Sequence, residues 1–416
     1  MLSVSEAQQT ILSNVKRLDP ETVSLLDALG RVLAEEVISE TALPPFDNSA
    51  MDGYAVRAED LIGASRERPV RLPVVGDVPA GRPSRIEIAV GTAARITTGA
   101  VMPRGADTVV PVEDTDDGAR GASELRESVT IYRAFERGAH VRVTGNDVQR
   151  GEKVLSAGML IRPSEIALMS AVGYGRVKVY RRPRVALLAT GDELVAPEQK
   201  PGPGQIRNVN EYATAALVMR YGGVPLLLGI ARDRLDEVAA KLDEAIGQGA
   251  DLIVASAGVS VGAYDVVKDA VKAHGSIDLW KVRMRPGKPI AFGAYRQVPF
   301  FGLPGNPVSA MMTFEQFVRP ALRIMCGFVQ WKKPTVSALL LEPLKSDGRE
   351  TYARAWVEHR DGQWTARLSG GQESNMLSGL ARANALVIVP DGVTQLQAGA
   401  AVVAQMLDWP EEIGAL

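Results

Sequence analysis

Cysteine is almost missing from this chain. Cys326 is the single one in 416 residues, so no internal disulfide can form. With three scattered histidines, no thiolate–imidazole zinc cluster suggests itself either. An excess of one charge is also lacking: 47 Lys and Arg stand against 49 Asp and Glu, a formal net charge of −2. That balance gives no bulk electrostatic case for a nucleic acid partner. No stretch reaches the roughly 18 consecutive apolar residues of a membrane span, so no membrane association is expected. The first residues have neither a basic segment nor a long apolar run and do not read as a signal peptide, which makes the cytoplasm the expected location. Fixed-period repeats and low-complexity tracts are absent as well. What remains is ordinary globular composition, 46% hydrophobic and 23% charged, in a chain long enough for roughly three domains.

The patterning changes several times along the chain. Ser3 and Glu6 form an S-x-x-E capping box. Val4, Ala7, Ile11, Val15 and Leu18 then recur at helical spacing, which predicts a helix ended by Asp19-Pro20. A second amphipathic helix is expected over about 25–38, broken by residues 41–45. Between 47 and 137 short β-like runs (70–75, 85–88, 108–112 and 129–132) alternate with Gly and Pro, as in a small β-rich module. Helical character returns at 163–172, where Pro163 suits a first turn. Apolar runs at 185–189, 225–230, 252–255 and 298–301 then alternate with helical stretches at 209–221, 235–246 and 265–273. That alternation predicts an open, mainly parallel sheet with helices on both faces. Beyond Cys326-Gly327, strand-like runs at 335–341, 352–359, 364–368, 385–389 and 401–405 read as a β-barrel or sandwich.

In an open α/β sheet, ligands bind beyond the carboxyl ends of the strands. Here those ends run into Thr190-Gly191-Asp192-Glu193, Arg232-Asp233, the segment Ser256-Ala257-Gly258-Val259-Ser260-Val261-Gly262 with Asp265, and Leu303-Pro304-Gly305-Asn306-Pro307-Val308-Ser309. Glycine lets backbone approach a ligand, free N–H groups at a helix start bind phosphate-like anions, and carboxylates beside a phosphate hold Mg²⁺. Arg285-Pro286-Gly287-Lys288-Pro289 adds positive charge without the spacing of a Walker A loop. Each piece alone has a plain structural reading as a turn, a helix cap or a solvated basic tip. Together they predict a phosphorylated ligand with a divalent metal.

A competing pattern is present. Gly258-Val259-Ser260-Val261-Gly262 matches the nucleophile elbow of α/β-hydrolases, and Asp269 or Asp278 followed by His359 would complete a Ser–Asp–His order. A serine esterase using Ser260 therefore ranks second. It leaves Arg285, Lys288 and the acidic strand ends without a role. A non-catalytic scaffold of the same fold is the third reading.

One further segment, Pro45-Phe46-Asp47-Asn48-Ser49-Ala50-Met51-Asp52-Gly53-Tyr54-Ala55, is odd for a linker. With it stand Thr97-Thr98-Gly99-Ala100, Pro103, Gly105-Ala106-Asp107, Glu113, Gly145-Asn146-Asp147 and Gly151, then the strand-end loops and Pro286-Gly287-Lys288-Pro289. In this order and over nearly the whole chain, the set resembles the molybdopterin molybdenumtransferases, the bacterial MoeA-type proteins and the E domain of gephyrin.

The resemblance implies an α/β multidomain fold. A helical linker region covers 1–45 and 138–178, and an inserted β-rich module covers 46–137. A molybdopterin-binding-like α/β sheet domain follows at 179–327, then a C-terminal β-barrel at 328–416. It also implies a homodimer whose active site lies between subunits, and a Mg²⁺-dependent insertion of molybdate into adenylyl-molybdopterin with release of AMP. A molybdopterin adenylyltransferase and molybdoenzyme maturation factors are the implied protein partners. Asp52, Asp147, Glu193, Asp233, Asp265 and Lys288 match the family's functional positions, with Glu193, Asp233 and Asp265 as the Mg²⁺ candidates. Thr190, Gly191, Asp192, Ser260, Gly262, Arg285, Pro304, Gly305, Asn306 and Pro307 would bind substrate, and Arg354 and Ser374 would line the molybdate end. The chain departs from the family at Arg285, often lysine there, whose planar fork binds oxyanions differently. It departs also at Ala257, usually glycine, and at Glu373, where glycine is common. An acid beside an oxyanion repels it, so Glu373 is expected to point away.

Overall fold

The structure is a computed structural model describing residues 1–118, 124–256 and 263–410; the side chains of residues 263–265 and 279 lie outside that description. Helix α1 (Val4–Ser13) begins as its capping box requires: Glu6 N–H donates to Ser3 Oγ at 3.2 Å, and Ser3 N–H to the Glu6 carboxylate at 2.8 Å. It ends at Ser13, earlier than Asp19-Pro20, because Asn14 caps it with its amide on the Thr10 carbonyl. Its buried face (Val4, Ala7, Ile11) joins the largest hydrophobic core, which also holds Val185, Leu252, Phe301 and Phe317.

The expected helix over 25–38 does not form. Gly30 has φ +74° and ends a single turn. The following backbone groups bond elsewhere: Leu33 N–H to Met159 O and Ala34 N–H to Lys178 O. A left-handed glycine and neighbouring extended chain thus outcompete an amphipathic pattern. Strand β1 (Pro20–Ser24) pairs antiparallel with β7 (Arg176–Tyr180), and α2 (Pro163–Ala171) packs beside them.

The inserted module is a five-stranded sheet of β2 (Gly53–Val56), β3 (Val70–Val78), β4 (Ala93–Ile96), β5 (Thr108–Pro111) and β6 (Ser128–Ile131), in the order β5-β2-β4-β3-β6. The expected strand at 85–88 reduces to one bridge, Glu87 with Arg104. β2 and β4 carry too few alternating residues to be legible from pattern.

The α/β unit is a six-stranded sheet. Its strands are β8 (Arg184–Thr190), β9 (Val224–Ala231), β10 (Leu252–Ser256), β11 (Gly275–Lys281), β12 (Pro289–Tyr295) and β13 (Val298–Leu303), ordered β9-β8-β10-β13-β12-β11. Neighbours among β9, β8, β10 and β13 pair in parallel, whereas β12 and β11 add antiparallel pairs, so the sheet is mixed at that edge. Helices α3 (Asn210–Arg220), α4 (Leu235–Gly247), α5 (Ala263–His274), α6 (Pro307–Thr313) and α7 (Arg319–Met325) accompany it. Apolar residues are buried in two separate clusters, one including Leu187, Val218 and Phe301, the other Leu188, Val238 and Val271.

The C-terminal unit closes. Strands β14 (Thr335–Leu340), β15 (Glu350–Arg360), β16 (Gln363–Leu368), β17 (Ala385–Val389) and β18 (Ala401–Met406), with helix α8 (Leu377–Ala381), form the circuit β15-β16-β14-β18-β17 and back to β15. Closure removes the open edges of the sheet. The barrel is joined to the α/β unit where Met284–Arg285 pairs parallel with Glu350 and Thr351. Among the described residues no helix is long and apolar enough to cross a membrane.

Candidate functional site

Where the carboxyl ends of the parallel strands meet the barrel, a cleft of about 1190 Å³ opens. From the predicted set, Thr190, Glu193, Arg285, Lys288, Pro304, Gly305, Asn306, Pro307 and Ser374 line it. Segments more than 180 residues apart in sequence are brought together by strand order and by barrel docking. Two hydrogen bonds tie these loops: Asn210 Nδ2 donates to Gly305 O at 2.8 Å, and Asn306 Nδ2 to Ser374 Oγ at 3.1 Å. The second crosses from the α/β unit to the barrel unit.

One end of the site is acidic. Gly191 has φ +145°, and a Cβ there would meet the Glu193 carboxylate at 2.5 Å; the glycine is what lets Glu193 fold back over the strand end. Asp233, at the end of the neighbouring β9, has Oδ1 buried with no hydrogen-bond partner. Burial raises the pKa of its carboxyl, and the charges of Asp192 and Glu193 raise it further. Uncompensated carboxylate oxygens of this kind suit a hard cation, which takes oxygen ligands and would relieve the mutual repulsion. Among the described residues no three such groups already enclose a metal position; the side chain of Asp265, the third candidate ligand, lies outside the described residues, as do Ser260 and Gly262.

The rest of the wall is mainly basic. Arg207, Arg285, Lys288 and Arg349 line the cleft against the acids Glu193 and Glu373. Arg349 is held by Asp347, at 3.1 Å from Nε, and by the Met284 carbonyl at 2.9 Å from Nη1. Its guanidinium, first of all, holds the Asp347 carboxyl below its usual range. Thr190 is buried with its hydroxyl unpartnered. An acidic end next to a basic wall fits a polyanion that carries a divalent cation.

Two expectations are corrected. Arg354 does not line the cleft. It is fully buried in β15, and its guanidinium bonds the carbonyls of Gly371 at 2.5 Å and Glu373 at 3.2 Å. It therefore braces, from beneath, the loop that presents Ser374. Glu373 does not turn away, since it is exposed and lines the cleft. Asp52 and Asp147 are both exposed and neither lines this cleft within one chain, as expected of residues that the family resemblance assigns to a site between subunits. Asp52 accepts a hydrogen bond from Thr98 N–H at 2.7 Å, which orients it in the inserted module.

Sequence reasoning missed Arg207, Asn208, Asn210, Arg349 and Gln372. The run Gln205-Ile206-Arg207-Asn208 precedes α3 and carries a usable sign, polar residues ahead of a helix start. Arg349 and Gln372 had none, because only barrel docking puts them here. The hydrolase alternative is not favoured. His359 sits on the barrel strand β15 with its ring edge on Trp364, at a centroid distance of 5.2 Å, and does not line the cleft.

Comparison with known proteins adds three findings. Residues 2–173 match the profile of the MoeA N-terminal region (domain I and II), residues 186–324 that of the "probable molybdopterin binding domain", and residues 337–407 that of the MoeA C-terminal region (domain IV). The chain is 41% identical over 407 residues to molybdopterin molybdenumtransferase 2 of Mycobacterium tuberculosis, covering 96% of this chain and 98% of that one. It is 40% identical to the molybdopterin molybdenumtransferase of Nostoc sp., covering 98% and 94%. Among solved structures it superposes on the molybdopterin biosynthesis MoeA protein of Pyrococcus horikoshii OT3 with a TM-score of 0.80 at 29% identity, over 98% of this chain and all of that one.

Proposed function

Because the chain belongs to the MoeA family of molybdopterin molybdenumtransferases, enzymes of molybdenum cofactor biosynthesis, we propose that its cleft takes adenylyl-molybdopterin and molybdate and releases molybdenum cofactor, AMP and water. The observation that supports this most directly is the division of the cleft into an acidic end at Glu193, with the buried carboxyl of Asp233 beside it and not in the lining, and a basic wall of Arg207, Arg285, Lys288 and Arg349.

The substrate's phosphoanhydride runs along the basic wall, with Lys288 and Arg285 offset against its charge and the Leu303-Pro304-Gly305-Asn306-Pro307 loop shaping the surface beside it. Glu193, Asp233 and Asp265 would hold Mg²⁺, which would supply charge neutralisation of the phosphoanhydride and so make AMP a better leaving group. Molybdate is a tetrahedral dianion. Ser374 and the loop braced by Arg354 form its end of the cleft, where the basic side chains Arg207, Arg285, Lys288 and Arg349 outnumber Glu373, the acid that would repel the dianion. The two sulfurs of the pterin dithiol displace two molybdate oxygens as they bind molybdenum; one leaves as water with the two thiol protons, and the other is taken up by the phosphoanhydride as it cleaves to AMP and the pterin phosphate. No cysteine of the protein is needed, which suits a chain whose one thiol, Cys326, is buried.

Asp52 and Asp147 reach this chemistry from a second copy of the chain. Both are exposed, and Asp52 is already oriented by Thr98, so each can complete a partner's cleft. The test is turnover. Purified protein with adenylyl-molybdopterin, Mg²⁺ and molybdate should release AMP, and omission of either ion should stop cofactor formation. Asp52→Ala should lower turnover on the order of 100-fold or more with unchanged circular dichroism. Full activity of that variant would remove Asp52 from the site.

A further inference from the structure

A buried carboxylate with no role so far stands behind the cleft wall. Glu211, in the first turn of α3, is 6% exposed. One of its oxygens accepts from Gly229 N–H at 2.8 Å, and the other accepts from Asn208 Nδ2 at 2.8 Å. Its own N–H donates back to Asn208 Oδ1 at 3.3 Å. Gly229 lies where the pairing of β9 with β8 slips register, between Leu227 and Ile230. That irregularity gives one backbone donor to the carboxylate, on the strand that leads into Asp233. Asn208 is 3% exposed and lines the cleft.

An ionised carboxylate only accepts hydrogen bonds, so it dictates which end of the Asn208 amide faces it. Glu211 engages one amide N–H and one carbonyl lone pair, leaving one of each on a cleft-lining side chain. Burial raises the pKa of the Glu211 carboxyl, and the donors from Gly229 and Asn208 act against that rise.

We propose that Glu211 is a positioning residue for the transfer reaction: it sets the orientation of the Asn208 amide at the cleft and ties that amide to the strand carrying Asp233. Glu211 itself touches no substrate. The inference rests on the reading of the cleft given under the proposed function.

Glu211→Gln is nearly isosteric but has one acceptor oxygen for two donors, Gly229 N–H and Asn208 Nδ2, so one of them meets an amide NH2 and the Asn208 amide is no longer held. AMP binding to the full chain, measured by calorimetry, should weaken about tenfold, the scale of one hydrogen bond to a charged group. KM for adenylyl-molybdopterin should rise more than kcat falls. In an Asn208→Ala background, Glu211→Gln should add nothing, because the link it acts through is gone. Glu211→Asp, which keeps the charge but cannot span both partners, gives the same measurement should Glu211→Gln not fold. Unchanged AMP binding by the Glu211 variant, or losses that simply add in the double variant, overturn the inference alone. Failure of the unaltered protein to bind AMP overturns the reading of the cleft, and the inference falls with it.

Discussion

At Gly191 two demands meet on one residue: a positive φ and the carboxylate of Glu193 lying where a Cβ would be. Gly191→Ala should cost about 1–3 kcal/mol of stability and push Glu193 off the strand end. Apparent Mg²⁺ affinity in the turnover assay should fall with it; unchanged metal dependence would mean that Glu193 holds no ion. Glu165 offers a pH test. The guanidinium of Arg162 holds its carboxyl down to about 2, from an ordinary value of 4.5. A depressed carboxyl stabilises the fold above the ordinary value, and the stabilisation is lost as pH falls through about 2. Glu165→Gln should therefore be less stable than the unaltered protein at pH 7. Urea titrations should show the gap closing between pH 4.5 and 2. At this scale the sequence was informative wherever chemistry depends on residue type, as in the acids, the glycines and Lys288. It was silent on Arg349 and Gln372, whose relevance comes only from where they end up.

Among the elements, α1 shows local rules and tertiary packing in agreement. Its capping box was legible from four residues and is present bond for bond. Ser3→Ala should cost about 1 kcal/mol and speed amide exchange in the first turn, read by hydrogen–deuterium exchange. Exchange unchanged at Glu6 would show that the cap does not hold that turn. The stretch 25–38 shows the two in conflict. Its apolar spacing suits a helix, but Gly30 and the carbonyls of Met159, Ile161 and Lys178 offered bonds that a helix could not match. β11 and β12 went unseen for a different reason. Their residues are buried mostly on both faces or follow a helix directly, so neither clean alternation nor turn signals mark them.

The whole molecule depends on how the barrel is seated, since Arg349, Gln372 and Ser374 belong to it and face residues of the α/β unit across the cleft. Besides the Asn306–Ser374 bond, a clasp holds the two units. Arg220 of α3 bonds the Leu407 carbonyl at 2.8 Å and pairs with Asp408; within the barrel unit, Lys333 bonds the same carbonyl at 3.1 Å. Arg220 is partly exposed, and such pairs add little to stability. Arg220→Ala should accordingly leave the unfolding midpoint nearly unchanged while raising KM severalfold and loosening 401–410 in hydrogen–deuterium exchange. A variant with unaltered KM would show that the clasp does not set the cleft.

The chain's own order of residues determined the α/β character, the strand-end loops, the capped first helix and the family, because these rest on short-range patterns and on residue types in register. Tertiary structure alone decided that Arg354 braces a loop from below, that Glu373 faces the cleft, and that the sheet has an antiparallel edge. Each of those outcomes turns on burial and on pairing between distant segments, and neither leaves a local periodicity to be read.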